Sequence, residues 1–485
     1  MMTNKAFSSI PAGGGRRNKK WTIFFLVATA VFMSTLDSSI VNVALPVVMK
    51  DFKAPLPTIQ WVVMAYLLTV SSLLLSFGKL SDIKGRRWVY CRGFFIFTIG
   101  SICCGLATGP AWLISARIIQ AIGAAMLMAC SPALVVDAFP AGERGRALGL
   151  VGMVVAAGLT SGPALGGILL NFFSWRVIFY INIPIGLFAV IRAARLLKGG
   201  PGDSGRKEAF DWRGSALLAA GFCSFIVLVT HGGQWGAFSR NSLLAGSLSV
   251  LCAVLAVRTA QRAENPVFQL ELLRERLFIF PVLSLLFLFA ALFTVVFLMP
   301  FYLVHPAGVS IQRVGYMMMT PFVFLFFISP ISGALSDRIG SRWLCTFGIM
   351  VLAAALFLLS GLAADASAFS IAWRLALAGI GTAIFISPNS AMAMSAVGSD
   401  QRGVASGTIA TARNLGMVMG VALAGLIFNS VFSKLSGGHS LAAYGPDLQA
   451  PFMAAFRQAM VAGGFVAGVG AVVAFLSGPE STVRE

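Results

Sequence analysis

Of the seventeen acidic residues in this chain, Asp37 alone sits deep inside a long apolar run. An ionised carboxylate within a bilayer is costly, so such groups usually face a cavity or a partner. Burial raises a carboxyl pKa and a nearby cation lowers it. A group balanced between the two can load and release a proton; the competing reading is a structural carboxylate that caps a kinked helix. Arg117 is the partner to consider. Asp37 lies about eight residues, roughly 12 Å, from the outer end of its helix, and Arg117 about five residues, roughly 8 Å, from the outer end of one running the other way. Their depths agree within a helical turn. For the arginine, a structural salt bridge or hydrogen bonds to facing backbone is the alternative.

Asn42, Trp61, Tyr66, Gln120 and Asn389 are polar or aromatic groups within or near apolar runs. Each is a candidate to line a drug-sized cavity, which is typically apolar with a few polar groups. The bland alternative is that they satisfy one another between helices. The seven cysteines fall in or beside apolar stretches and read as small core hydrophobes. The three histidines have no metal-ligand spacing. No GxxxxGK, GxSxG or HExxH pattern occurs, which argues against an ATP-driven pump or a hydrolase.

These groups must be held by elements that live in lipid. The chain has 485 residues, 58% hydrophobic and 11% charged, whereas soluble domains carry about 25% charged residues. Apolar runs long enough to cross a bilayer, roughly 20 residues, fall at 21–45, 58–77, 88–107, 112–136, 147–170, 178–197, 212–230, 241–258, 277–300, 314–335, 343–362, 369–396, 405–430 and 458–477. The expectation is an all-α polytopic membrane protein of about fourteen spans. The first run is too long for a signal-peptide core and has no small-residue cleavage site, so it is read as a retained helix.

The net charge of +19 raises a nucleic-acid reading, which the distribution of charge removes. With the N-terminus placed inside, about 26 of the 36 basic residues fall on inner segments and helix ends and about seven on outer ones. They are scattered over many short loops and form no single patch. Both termini are therefore expected to be cytoplasmic. Arg413, roughly 12 Å into its span, is read as snorkelling to the inner surface.

Two stretches recur. Residues 78–87, GKLSDIKGRR, match 333–342, GALSDRIGSR; residues 143–149, ERGRALG, match 401–407, QRGVASG. The offsets, 255 and 258, argue for duplication. Parallel halves are one architecture that transporters use to place a site at a shared interface. The expected organisation is a cytoplasmic tail (1–20), a six-helix half (21–197), a linker (198–211), two inserted helices (212–258), a linker (259–276), a second six-helix half (277–477) and a tail (478–485). The outer segment 431–457 is long for a connector and is read as partly helical or mobile.

With those motifs in view, the chain resembles the major facilitator superfamily, and within it the fourteen-helix drug:proton antiporters of the multidrug and quaternary-ammonium efflux group. GKLSDIKGRR is similar to the superfamily's inner-loop signature. Gly158, Gly162, Pro163, Gly166 and Gly167 in GLTSGPALGG resemble the antiporter motif. Arg117, Gln120 and Gly123 sit as in RxxQGxG, with Ala121 where the first glycine is expected. LDSSIVNVALP (36–46) and SWRVIFYINIPIG (174–186) are similar to the fourteen-helix group.

The resemblance implies a major-facilitator fold, alternating access, and a proton-coupling role for Arg117 beside Asp37. The glycines at 158–167 let helices approach closely, and in the functional version that pair moves during transport. The same conformational role is expected of Gly78, Asp82, Gly85, Arg86 and Arg87, and of their repeats Gly333, Asp337 and Gly340. Asp82 is expected to accept from an opposing helix end, with Arg86 and Arg87 as topology anchors. The expected activity is proton-driven export of lipophilic, monovalent cationic or neutral compounds. Transport of one metabolite, lipid or siderophore on the same scaffold is the alternative. No cofactor or metal is expected, only the proton gradient. Expected partners are the bilayer, a small substrate, protons and, if the source is Gram-negative, a periplasmic adaptor; the expected location is a bacterial inner membrane.

Overall fold

The computed structural model describes residues 14–140, 143–197, 211–236, 239–262, 270–398 and 402–478. The expected tails and linkers fall largely outside these, and so does the side chain of Asp337. The described chain runs α1 (Gly14–Phe52), α2 (Leu56–Lys84), α3 (Arg86–Gly105), α4 (Pro110–Ala138), α5 (Arg144–Phe172), α6 (Val177–Tyr180), α7 (Asn182–Leu196), α8 (Trp212–Trp235), α9 (Arg240–Arg262), α10 (Leu270–Arg274), α11 (Arg276–Val304), α12 (Ile311–Ile339), α13 (Ser341–Ser360), α14 (Ala368–Ser395), α15 (Arg402–Leu435) and α16 (Gln449–Phe475). Among the described residues fourteen helical stretches are long and apolar enough to cross a membrane. The sixth combines α6 and α7. Its break follows from Pro184, which lacks an amide proton and whose ring crowds the carbonyl four residues back, at Tyr180.

Lys20 and Ser477 mark one face of the bundle, here the terminal face; the opposite face is the distal face. The helices α1 to α7 pack mainly on one another, as do α11 to α16, and the two groups meet along α5–α12 and α2–α15. The most buried span is α11, with 83% of its apolar window covered; α9, at 17%, is the most peripheral. The inserted pair α8–α9 packs on α2 and α15 through α8. On α9, Leu243, Leu244, Leu248 and Leu251 are exposed, as a lipid-facing surface requires. One continuous apolar core runs through both halves.

The duplicated motif produces a duplicated turn. Gly85 has φ +89° and Gly340 has φ +84°, a region that L side chains avoid. Each ends one helix and starts the next on the terminal face, 255 residues apart. Segment 431–457 is mostly helical: α15 continues to Leu435, two short 3-10 turns follow (Leu441–Ala443 and Pro446–Leu448), and α16 begins at Gln449.

The distal segment covers His305. Its ring lies 4.9 Å from Tyr444 and 6.4 Å from Phe452, and its Nε2 has no hydrogen-bond partner. Burial, with Lys50 nearby, lowers its pKa from 6.5 to about 4. The unfolded chain therefore takes up this proton first as pH falls. Stability contributed by neutral His305 should be complete above 6.5, drain away between 6.5 and about 4, and level off below. Thermal unfolding of purified protein across that range should show the decline, and His305→Phe should flatten it.

Candidate functional site

The glycine-rich stretch of α5 sets the position of α1. At Gly166 a Cβ would come 3.0 Å from Ile40 Cγ1, and at Gly158 and Gly162 it would collide with the Thr35 and Ser39 hydroxyls. Ser39 Oγ donates to Gly158 O at 3.2 Å. The last glycine of the motif turns elsewhere: a Cβ on Gly167 would lie 2.9 Å from Gly315 Cα on α12. The motif thus packs α5 against its own half and against the opposite half at once. α4 is brought onto α3 in the same way, since a Cβ on Gly123 would lie 2.7 Å from Phe97 Cα and one on Gly100 would lie 2.6 Å from Gln120 Cβ. Close approach survives the substitution at Ala121, which is itself fully buried.

Within this frame Asp37 and Arg117 form a buried ion pair, with Asp37 Oδ2 accepting from an Arg117 terminal nitrogen. Both residues are at most 1% exposed. The other carboxylate oxygen accepts from Gln120 Nε2 at 2.8 Å and Asn182 Nδ2 at 3.2 Å. Arg117 also donates through Nε to Val62 O at 3.1 Å and through NH1 to Gln120 Oε1 at 2.7 Å. Its guanidinium lies 4.0 Å from the centroid of the Tyr66 ring, and Tyr66 Oη donates to Ser34 O at 3.2 Å. Gln120 Nε2 further donates to Ser101 Oγ at 2.9 Å. Five spans of one half therefore contribute to the cluster, three of them (α1, α4 and the sixth) at the carboxylate itself.

Of the sequence candidates, Tyr66 and Gln120 belong to this cluster as partners of the ion pair. Asn42 is buried but spends its amide on Ser38 O, 2.9 Å away in its own helix. Asn389 joins α14 to α11 through Pro281 O at 3.1 Å and Ser284 Oγ at 3.2 Å. Trp61 lies near the distal face, stacked on His231 at 6.0 Å. Asn182 and Ser101 are cluster members that the motif reading did not single out. Asn182 lay in view within the quoted SWRVIFYINIPIG, as an amide in an otherwise apolar span.

The same stretch also anchors α1 at the distal face. Asp51 Oδ2 accepts from Trp175 Nε1 at 2.8 Å and Arg176 NH1 at 3.4 Å, and Arg176 NH2 donates to Ala107 O at 3.1 Å. On the terminal face Arg86 pairs with Asp137 of α4 and donates to Ala133 O at 3.0 Å. Arg87 donates to Ala194 O at 2.8 Å. The two arginines tie this loop to neighbouring helices, and Asp82 lies 4.0 Å from Arg86. Gly78 has open space around it, and a Cβ on Gly333 would meet Ser387 Oγ at 2.5 Å, so that α12 packs closely on α14 there. Among the described residues no three His, Cys, Asp or Glu side chains converge as a metal site requires.

The sequence profile of the Major Facilitator Superfamily matches residues 27–421 and 281–484. The chain belongs to that superfamily. This major facilitator is 36% identical over 416 residues to the riboflavin transporter RibZ of Clostridioides difficile, covering 86% of this chain and 89% of that one. It is 32% identical to the multidrug resistance protein Stp of Mycobacterium tuberculosis, over 85% of this chain and 77% of the relative. A bacterial homologue of the human lysosomal transporter Spinster, solved inward-facing and unoccupied, superposes with a TM-score of 0.69 at 16% identity, covering 96% of this chain and 98% of that one. The match in fold extends from end to end. The protein is a multi-pass membrane transporter of the major facilitator type and not an enzyme.

Proposed function

We propose that this major facilitator is a proton-coupled antiporter that exports lipophilic or cationic drug-like compounds by alternating access, with Asp37 carrying the proton and Arg117 as its switchable partner. The observation that supports this reading is one carboxylate at mid-depth, held by a cation and two amides and, among the described residues, by nothing else charged. Alternating access exposes that carboxylate to each side in turn. When Arg117 holds it, the proton is released; when a rearrangement loosens the contact, the proton is bound. We place the terminal face in the cytoplasm, on the excess of lysine and arginine there, and the protein in a bacterial inner membrane.

The packing is consistent with a state closed at the distal side. Gly167 and Gly315 touch across the seam there, whereas Gly149 and Gly152, near the terminal end of α5, have open space where a Cβ would lie. The relationship to multidrug resistance proteins supports drug export, whereas the riboflavin transporter favours a second reading, transport of one polar aromatic metabolite. Inverted membrane vesicles energised with a proton gradient separate these outcomes. Wild type should take up several unrelated lipophilic dyes, each competing with the others, and Asp37→Asn should abolish gradient-driven uptake. Unaltered coupled transport by Asp37→Asn would remove the carboxylate from the mechanism. Transport of riboflavin alone, unaffected by the dyes, would select the second reading.

A further inference from the structure

The distal end of the α2–α15 seam contains two adjoining chambers of about 460 and about 510 Å³ that share Pro57, Asn429 and Ser433. Their size is that of a small-molecule site. The first is bounded by α2, by α15, by the inserted helix α8 through His231, and by residues 438–441 of the distal segment. Two ring stacks contribute to its wall. Trp61, His231 and Trp235 form one, at 6.0 and 5.2 Å with interplanar angles of 28° and 22°; Phe428 and Phe432 form the other, at 5.6 Å and 14°.

Among the described lining residues there is no Asp or Glu, and the one Lys or Arg is Lys434. A cationic ligand would find no counter-charge here, whereas a neutral one gives up little hydration.

We infer that these chambers are a second ligand site, distinct from the Asp37 cluster, for a neutral planar aromatic molecule. Its ring packs on the aromatic walls, as offset-stacked rings favour. The inserted helix and the distal segment both contribute walls, which gives these two additions to the twelve-helix plan a shared task at the distal mouth. The inference stands apart from proton coupling, since no residue of the ion-pair cluster lines either chamber.

Equilibrium dialysis of acridone, a neutral tricycle with one N–H, against the full-length protein in lipid nanodiscs tests this, with empty nanodiscs subtracted. Proflavine, a planar cation of similar shape, is the comparison. Acridone should bind saturably and at least about tenfold more tightly than proflavine. Trp61→Ala and His231→Leu should each weaken acridone about tenfold, and Trp61→Phe should restore most of the loss. Gly468→Ala, which lines neither chamber, should leave acridone binding unchanged. No saturable binding, equal affinity for proflavine, or indifference to both wall variants would overturn the inference. Transport that fails in vesicles while acridone still binds would count against the antiporter reading alone.

Discussion

Arg117→Ala is expected to destabilise the protein by about 3–5 kcal/mol, the range for breaking a buried ion pair from one side. The variant leaves the Asp37 carboxylate buried with only the Gln120 and Asn182 amides as donors. It also strips Val62 O of its guanidinium donor and Tyr66 of the cation over its ring. Because much of the cost is the orphaned charge, the double variant Asp37→Asn/Arg117→Ala should be more stable than Arg117→Ala alone. Thermal unfolding of the purified variants in detergent measures both. Arg117→Lys should recover only part of the loss, since a lysine cannot reach Val62 O, Asp37 and Gln120 together with one planar fork. A double variant as unstable as the single one would show that the arginine acts by packing and not as the partner of Asp37.

Gly315→Ala is expected to lower stability by about 1–3 kcal/mol, as overpacking does, and to reduce transport beyond what lost protein explains. The added methyl would run into Pro163 O and come within 2.8 Å of Gly167 Cα and 3.0 Å of Gly167 N. All three are backbone atoms of the opposite half, which no rotamer change can move aside. The clash lies on the α5–α12 contact between the two halves, so under alternating access it acts on the conformational equilibrium as well as on the fold. Gly468→Ala is the control: nothing lies within 4 Å of a Cβ there, and alanine raises helix propensity. Unfolding temperature and initial transport rate, normalised to protein, should separate the two variants. Equal behaviour would show that α5 and α12 yield more easily than their packing implies.

The spans were legible because crossing a bilayer imposes length and apolarity, and both are local properties. The duplicated loop was legible because its motif recurs, and the structure adds why glycine stands at Gly85 and Gly340: only glycine is at ease at their φ. The start of α16 was not, because its first turns include Gln449, Arg457 and Gln458 and lie near the distal face, where hydropathy fades before the helix does. Asp37 and Arg117 could be paired on depth alone, since straight helices convert residue counts into height. Depth says nothing about azimuth, however. Asn42 and Asn389 share the composition of cavity-lining groups, yet one turns to the carbonyl four residues before it and the other bridges α14 and α11. Asn182 shows the converse: an uncharged residue on a span read only as apolar becomes a direct partner of the carboxylate. Which carbonyl or carboxylate an amide finds depends on how helices are rotated against one another, and only the packed bundle fixes that.

The anchoring of α1 to the sixth span bears on how motion in this half can be observed. The two elements are joined at two heights, by Asp51 with Trp175 and Arg176 at the distal rim and by Asp37 with Asn182 at mid-depth. Two ties at different levels fix the tilt of one rod against another as well as their separation. Spectroscopic labels on these helices should therefore keep a constant spacing through the transport cycle, and either one can serve as the reference frame against which the opposite half is tracked.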